Sequence, residues 1–109
     1  MGGVKMRLVF SGYNISKDNI MEIQKSTRKG KRLMVKFANG KIIHFGQEGG
    51  STYIDHGDKA KREAYLARHA KRENWKTPYN AGSLSRWLLW GPYTQLQANI
   101  GFFKSMFNI

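Results

Sequence analysis

Residues 77–109 carry no acidic side chain and only two basic ones, Arg86 and Lys104. The same third holds Leu84, Trp87, Leu88, Leu89, Trp90, Leu96, Ile100, Phe102, Phe103, Met106 and Phe107. A stretch so poor in charge and so rich in large apolar groups has to be covered, by the rest of the chain or by a partner. The remainder has the opposite character: residues 1–76 hold 17 of the 19 Lys and Arg and all seven acids. Near the junction stands Pro78, which restricts both itself and Thr77 and so breaks any helix running into it.

With 109 residues the chain is expected to form a single domain, β-rich over 1–46 and helical over 58–109. Lys5–Phe10 is short and β-prone. A three-stranded antiparallel meander is predicted over Ile20–Thr27, Arg32–Ala38 and Lys41–Phe45. Asn39-Gly40 is a strong hairpin signal, because both residues tolerate positive φ. A two-residue type I′ turn there would set Phe37 opposite Ile42, Val35 opposite His44 and Met34 opposite Phe45. Gly46–Asp58, with its glycines and short polar residues, reads as a loop.

Asp58 is placed to cap a helix from Lys59 to about Glu73. Ala60, Ala64 and Ala67 form one stripe on it, widened by Leu66 and Ala70, and small residues there suggest close packing against another element. Asn80 caps a second helix, Ala81–Trp90, which Gly91-Pro92 ends. A third starts near Tyr93 or Thr94 and reaches about Phe107. Leu84, Trp87 and Leu88 share one face, as do Leu96, Ile100, Phe103 and Phe107, so both helices read as core. The fold class is α+β: a small N-terminal antiparallel meander followed by about three packed helices.

The net charge of +12 exceeds the ~2–8 that solubility asks of a small domain. It points to a polyanion partner: nucleic acid (DNA or RNA), an acidic protein surface or an anionic membrane. Two clusters carry the charge. Arg28, Lys29, Lys31 and Arg32 surround the turn at Gly30, and the first long helix contributes Lys59, Lys61, Arg62, Arg68, Lys71 and Arg72. Cations at turn tips and along a helix touch phosphates without reading sequence. Tyr65, Trp75 and Tyr79 are candidates for stacking or docking. No helix shows a groove-reading pattern of Arg, Asn and Gln.

An enzyme needs converging reactive groups, and few are in view. Asp55-His56-Gly57-Asp58 matches no metal-ligand spacing, and an acid beside a helix start usually caps it. P-loop, dinucleotide and nucleophile-elbow signatures are absent. Gly49–Thr52 lacks the lysine of a phosphate loop. Without cysteine there is neither a disulfide framework nor a thiolate metal site. No run approaches the ~20 apolar residues that span a bilayer, and Met1–Phe10 lacks a signal-peptide core. The chain is therefore expected to be non-enzymatic and to need no cofactor or metal.

The order of motifs is distinctive: "NGKIIHFG" (Asn39–Gly46), "YIDHGDKAKREAYLARHAKRENW" (Tyr53–Trp75), "AGSLSRWLLW" (Ala81–Trp90) and "FFKSMFN" (Phe102–Asn108). It resembles a family of small basic uncharacterised proteins of the nucleocytoplasmic large DNA viruses, the giant viruses of algae and protists. The resemblance covers roughly Met21 to Asn108, and "YLARHAKRENW" with "AGSLSRWLLW" is its most specific part. It implies a viral origin and brings no catalytic residues. It also implies a structural role in the virion, as a minor capsid component or shell-associated glue, with host cytoplasm or virus factory as the site of assembly. The alternative is a sequence-nonspecific nucleic-acid binder for genome packaging or replication.

Overall fold

A computed structural model of the protein describes the backbone of residues 16–17 and all of residues 21–109. The strand expected at Lys5–Phe10 lies outside the described residues. Among the described residues four antiparallel strands follow one another in the order β1-β2-β3-β4: β1 Ser16–Lys17, β2 Met21–Lys25, β3 Lys31–Phe37 and β4 Ile42–Gln47. The helical part comprises α1 Tyr53–His56, α2 Lys59–Ala70, α3 Ala81–Leu84 and α4 Leu96–Phe107. α3 runs on into a π-helical turn, Ser85–Leu89. The expected α+β arrangement is the one found.

The register of the β3–β4 hairpin differs from expectation by one residue. Leu33 pairs with Phe45, Val35 with Ile43 and Met34 with His44. The loop holds three residues, Ala38–Gly40, closed by Gly40 N–H to Phe37 O and Phe37 N–H to Lys41 O, both 2.9 Å. Only Gly40 takes positive φ, at 88°. A type I′ turn needs it at Asn39 too; the loop is instead a type I turn followed by a left-handed glycine. Asn39 Oδ1 accepts from Lys41 N–H at 2.9 Å and holds the turn. One residue of slip exchanges the faces of a strand. The observed register puts Leu33, Val35, Phe37, Ile43 and Phe45 together on one face with Met21 and Ile23.

That face is covered by Leu84, Leu88 and Leu89 from α3 and its π turn, and by Ile100 and Phe103 from α4. Trp90 N–H bonds to Ser85 O, five residues back. The extra residue in this turn lets Leu84, Leu88 and Leu89 all reach the core. Trp87 and Trp90 are half-buried at its margin. The end of the π turn is tied down by Asn99, which is fully buried. Its Nδ2 donates to Leu88 O (3.0 Å) and Tyr93 O (2.9 Å), and its Oδ1 accepts from Tyr93 N–H (2.9 Å). Gly91 is needed beside it, because a Cβ there would lie 2.2 Å from Trp87 O and 2.8 Å from Asn99.

Two expected caps are present. Asp58 accepts from Ala60 and Lys61 N–H at the start of α2, and Asn80 accepts from Ser83 N–H at the start of α3. α1 lies within the segment expected to be loop. Thr52 and Asp55 form a capping box there, a signal readable as Thr-x-x-Asp. The alanine stripe of α2 does not pack: Ala60, Ala64, Ala67 and Ala70 are all exposed. α2 instead turns inward through buried Tyr65 and half-buried Arg62, Leu66 and His69. Large rings bury more area than alanine methyls and so set the rotation of the helix. Asn99→Ala removes the partner of the buried Leu88 carbonyl and of the part-buried Tyr93 carbonyl and amide. It is expected to cost about 2–4 kcal/mol, read as a lower urea midpoint at unchanged slope.

Candidate functional site

Between the open end of the β3–β4 hairpin and the inner side of α2 lies a cleft of about 610 Å³. Gly30, Lys31, Gly46 and Gly50 line it from the sheet side, and Tyr65, His69, Glu73 and Trp90 from the helical side. A smaller hollow of about 300 Å³ adjoins it, sharing Lys31 and Gly50 and adding Lys25, Arg32 and Glu48. The sheet-side wall is thin because glycine contributes no side chain. Gly46, at φ 79°, faces Leu89 so closely that a Cβ would sit 2.9 Å from its Cδ1.

Aromatic stacking builds the helical wall. Trp90 lies parallel to Tyr65, with centroids 4.3 Å apart and an interplanar angle of 4°. Tyr65 stacks in turn on His69 at 4.1 Å and 23°. Burial, reinforced by the charge of Glu73, pushes the Tyr65 phenol above its ordinary value, so it stays protonated. His69 Nδ1 lies 2.6 Å from Glu73 Oε2, and Trp75 Nε1 donates to Glu73 Oε1 at 2.9 Å. Burial raises the Glu73 carboxyl, but the bonds from His69 and Trp75 with the charges of His69 and Arg72 outweigh it, and the net shift is downward.

A clasp closes the cleft's rim. Both Nη atoms of Arg32 donate to the carboxylate of Asp55 at 2.8 Å, and Nη1 reaches Thr52 Oγ1 at 3.3 Å. Thr52 N–H and Oγ1–H also bond to Asp55, at 2.8 and 2.9 Å. The Arg32 guanidinium, helped by Thr52, holds the Asp55 carboxyl down at about 2, against a smaller opposing effect of burial. Arg62 makes a second tie. Its Nε donates to Trp90 O (3.2 Å) and Gly91 O (2.9 Å), with the guanidinium 5.5 Å from the Tyr53 ring. Arg86 also reaches Trp90 O, at 3.3 Å. Its guanidinium lies 3.8 Å over Trp87 and 5.1 Å from Trp75, and desolvation followed by the charge of Arg62 brings it down to about 10.

The sequence-derived cations therefore fall into two sets. Arg32 and Arg62 are committed to internal bonds. Arg28, Lys29, Lys31, Lys59, Lys61, Arg68, Lys71 and Arg72 are exposed and make no ion pair among the described residues. Lys31 lines one wall of the cleft, while Arg68 and Arg72 lie close enough to bias Tyr65 and Glu73 beside the other. The hairpin tip and α2, separate in sequence, thus flank one depression. Of the aromatic candidates only Tyr65 faces it. Trp75 supports Glu73 from behind, and Tyr79 is exposed, edge-on to Phe37 at 4.8 Å with Lys41 Nζ 6.0 Å away. Sequence reasoning missed His69 and Glu73 and read Trp90 as core; the i, i+4 spacing of His69 and Glu73 was the available signal. Asp55-His56 serves structure, since His56 Nδ1 accepts from Asp58 N–H at 2.9 Å. Among the described residues no helix is long and apolar enough to cross a membrane.

A family model described as "Family of unknown function (DUF5754)" matches residues 21–69, from the first core strand to His69. The chain is also 36% identical over 80 residues to "Uncharacterized protein L851" of Acanthamoeba polyphaga mimivirus, an alignment taking in 64% of this chain and 80% of that protein. The chain belongs to that giant-virus family. No solved structure matches it.

The clasp gives a pH dependence. A carboxyl held below its unfolded value stabilises the fold above that value, and the contribution is lost as pH falls from about 4 towards 2. Asp55 is a third exposed, so solvent screening reduces the contribution to about 1–2 kcal/mol. Asp55→Asn is expected to lower stability by that amount at pH 7 and to flatten the acid limb, measured by thermal melts between pH 2 and 7.

Proposed function

We propose that this giant-virus protein is a non-enzymatic structural component of the particle, a minor capsid or shell-associated glue protein. Its exposed cations pair with acidic side chains of a shell protein while an apolar patch docks beside them. One observation carries the reading: Tyr93, Phe102 and Met106 are exposed at 49%, 37% and 39% and adjoin one another. Phe102 lies 6.3 Å from Tyr93 and 5.9 Å from Trp87 between ring centroids, and Met106 follows it by one helical turn. Arg86 lies over Trp87 at the patch's edge. An exposed cluster of aromatic and methionine side chains with a guanidinium at its edge has the composition of a docking surface. Localisation in the virion, after assembly in the host cytoplasm or virus factory, belongs to this reading.

Quantitative mass spectrometry of purified particles is expected to find the protein in fixed ratio to a capsid protein; its absence overturns the proposal. Phe102→Ser combined with Met106→Ser is expected to weaken binding to that capsid protein roughly tenfold with a smaller loss of melting temperature than a core truncation such as Leu88→Ala, because each side chain is more than a third exposed.

A second reading, a sequence-nonspecific nucleic-acid binder, is favoured by the unpaired cations on the two sides of the cleft. It expects duplex affinity to fall steeply with salt. Lys29→Ala and Lys31→Ala should each weaken binding to every sequence alike and lower the log–log salt slope by about one. Absence of duplex binding at about 50 mM salt removes this reading.

A further inference from the structure

The cleft has features that the capture of duplex phosphates does not need. It is a concavity within the roughly 300–1,000 Å³ span of small-ligand sites, and one wall is a ladder of three stacked rings. The ladder begins with Trp90 and passes through Tyr65, both faces of which are taken. It ends at His69, whose second face meets no other ring among the described residues. The His69 side chain is 32% exposed and lines the cleft. Its ring plane is fixed from two directions, by the Tyr65 stack and by the 2.6 Å contact with Glu73, itself anchored by Trp75. A planar group entering the cleft would therefore meet a pre-oriented flat surface that extends an existing stack.

The opposite wall supplies charge and close approach. Lys31 stands there with Gly30, Gly46 and Gly50, and Lys25 continues the basic side into the adjoining hollow. The acids are already engaged: Glu73 by His69 and Trp75, Glu48 by Gly30 N–H at 3.1 Å, and Asp55 at the rim by Arg32 and Thr52. The site thus offers a flat aromatic surface on one side and lysines beside side-chain-free backbone on the other. A nucleotide has the matching parts, a planar base joined to a phosphate.

We propose that the cleft binds one nucleotide unit, its base stacked on the outer face of His69 and its phosphate held by Lys31 and Lys25. The nucleotide can be free or part of a single strand. Glu73 is a positioning residue here, holding the imidazole and not touching the ligand. The proposal does not rest on the apolar patch of α4, and duplex binding in the salt titration above neither requires it nor establishes it.

The test uses the full chain, titrated with adenosine monophosphate, a single-stranded hexanucleotide, an abasic hexamer with the same phosphates, and an acidic hexapeptide, followed by NMR. Either base-bearing ligand is expected to shift the His69 ring, the Trp90 indole and the amides of Lys31 and Gly50. Response to the monophosphate identifies a free nucleotide as sufficient; response to the hexamer alone identifies a strand. His69→Ala should weaken base-bearing ligands roughly tenfold and leave the abasic hexamer unchanged. His69→Phe, which keeps the ring and the Tyr65 stack but cannot bond Glu73, should restore only part of the loss. Lys31→Ala, at an exposed position, should weaken all phosphate-bearing ligands. Equal affinity for abasic and base-bearing hexamers, shifts confined to residues outside the cleft, or tighter binding of the acidic peptide would each overturn the proposal.

Discussion

The contact between the apolar face of the sheet and the leucine–phenylalanine side of the last two helices is what the remaining structure hangs on. A sheet with one largely apolar face has to bury that face against another layer. Phe45, Val35 and Ile23 are sealed there by Leu84, Leu88, Leu89 and Phe103, all with at most 1% exposure. The near absence of charge after Thr77 follows from this sealing role, since a lysine or glutamate among those side chains would have to be paired or driven neutral. Among the described residues most of the basic side chains consequently lie away from these helices, at the hairpin tip, at outward-facing strand positions and along α2 and the turn that follows it.

Polar ties then fix what apolar contact leaves free to slide. Asn99 anchors the end of the π turn, Arg32 and Asp55 join the sheet to α1, and Arg62 joins α2 to the carbonyls of Trp90 and Gly91. The last of these has no carboxylate in it. Two guanidiniums, from Arg62 and Arg86, share the negative end of one helix, and aromatic rings cover both. A positive charge held this way stays uncompensated, which keeps the field around α2 basic even where its cations turn inward.

Much of this was legible in the residues. Asp58 and Asn80 cap helices because short polar side chains satisfy amides that have no partner in the first turn, a local effect that needs no knowledge of the fold. The helical spacing of Ile100 and Phe103 marked core for the same reason. What escaped was set by tertiary choices. Asn39-Gly40 suits a two-residue turn and a three-residue turn alike, and the alignment of Phe45 with the apolar side of β3 decided between them. The alanines of α2 could have packed closely; Tyr65 found Trp90, 25 positions later, and turned them to solvent. His69 and Glu73 became part of a cleft only because the hairpin tip folds over to face them. The two cation clusters were visible one by one, but their place on either side of one depression was not.

The way α2 is attached has a dynamic consequence. Its inner side commits one buried ring, a half-covered leucine and histidine and an arginine, whereas the sheet and α3 share a dense apolar seal. Regions with few buried apolar contacts open at lower free energy than the cores they lean on. α2 is therefore the element that can swing away as a unit, exchanging its amide hydrogens with solvent while the strands beneath remain protected.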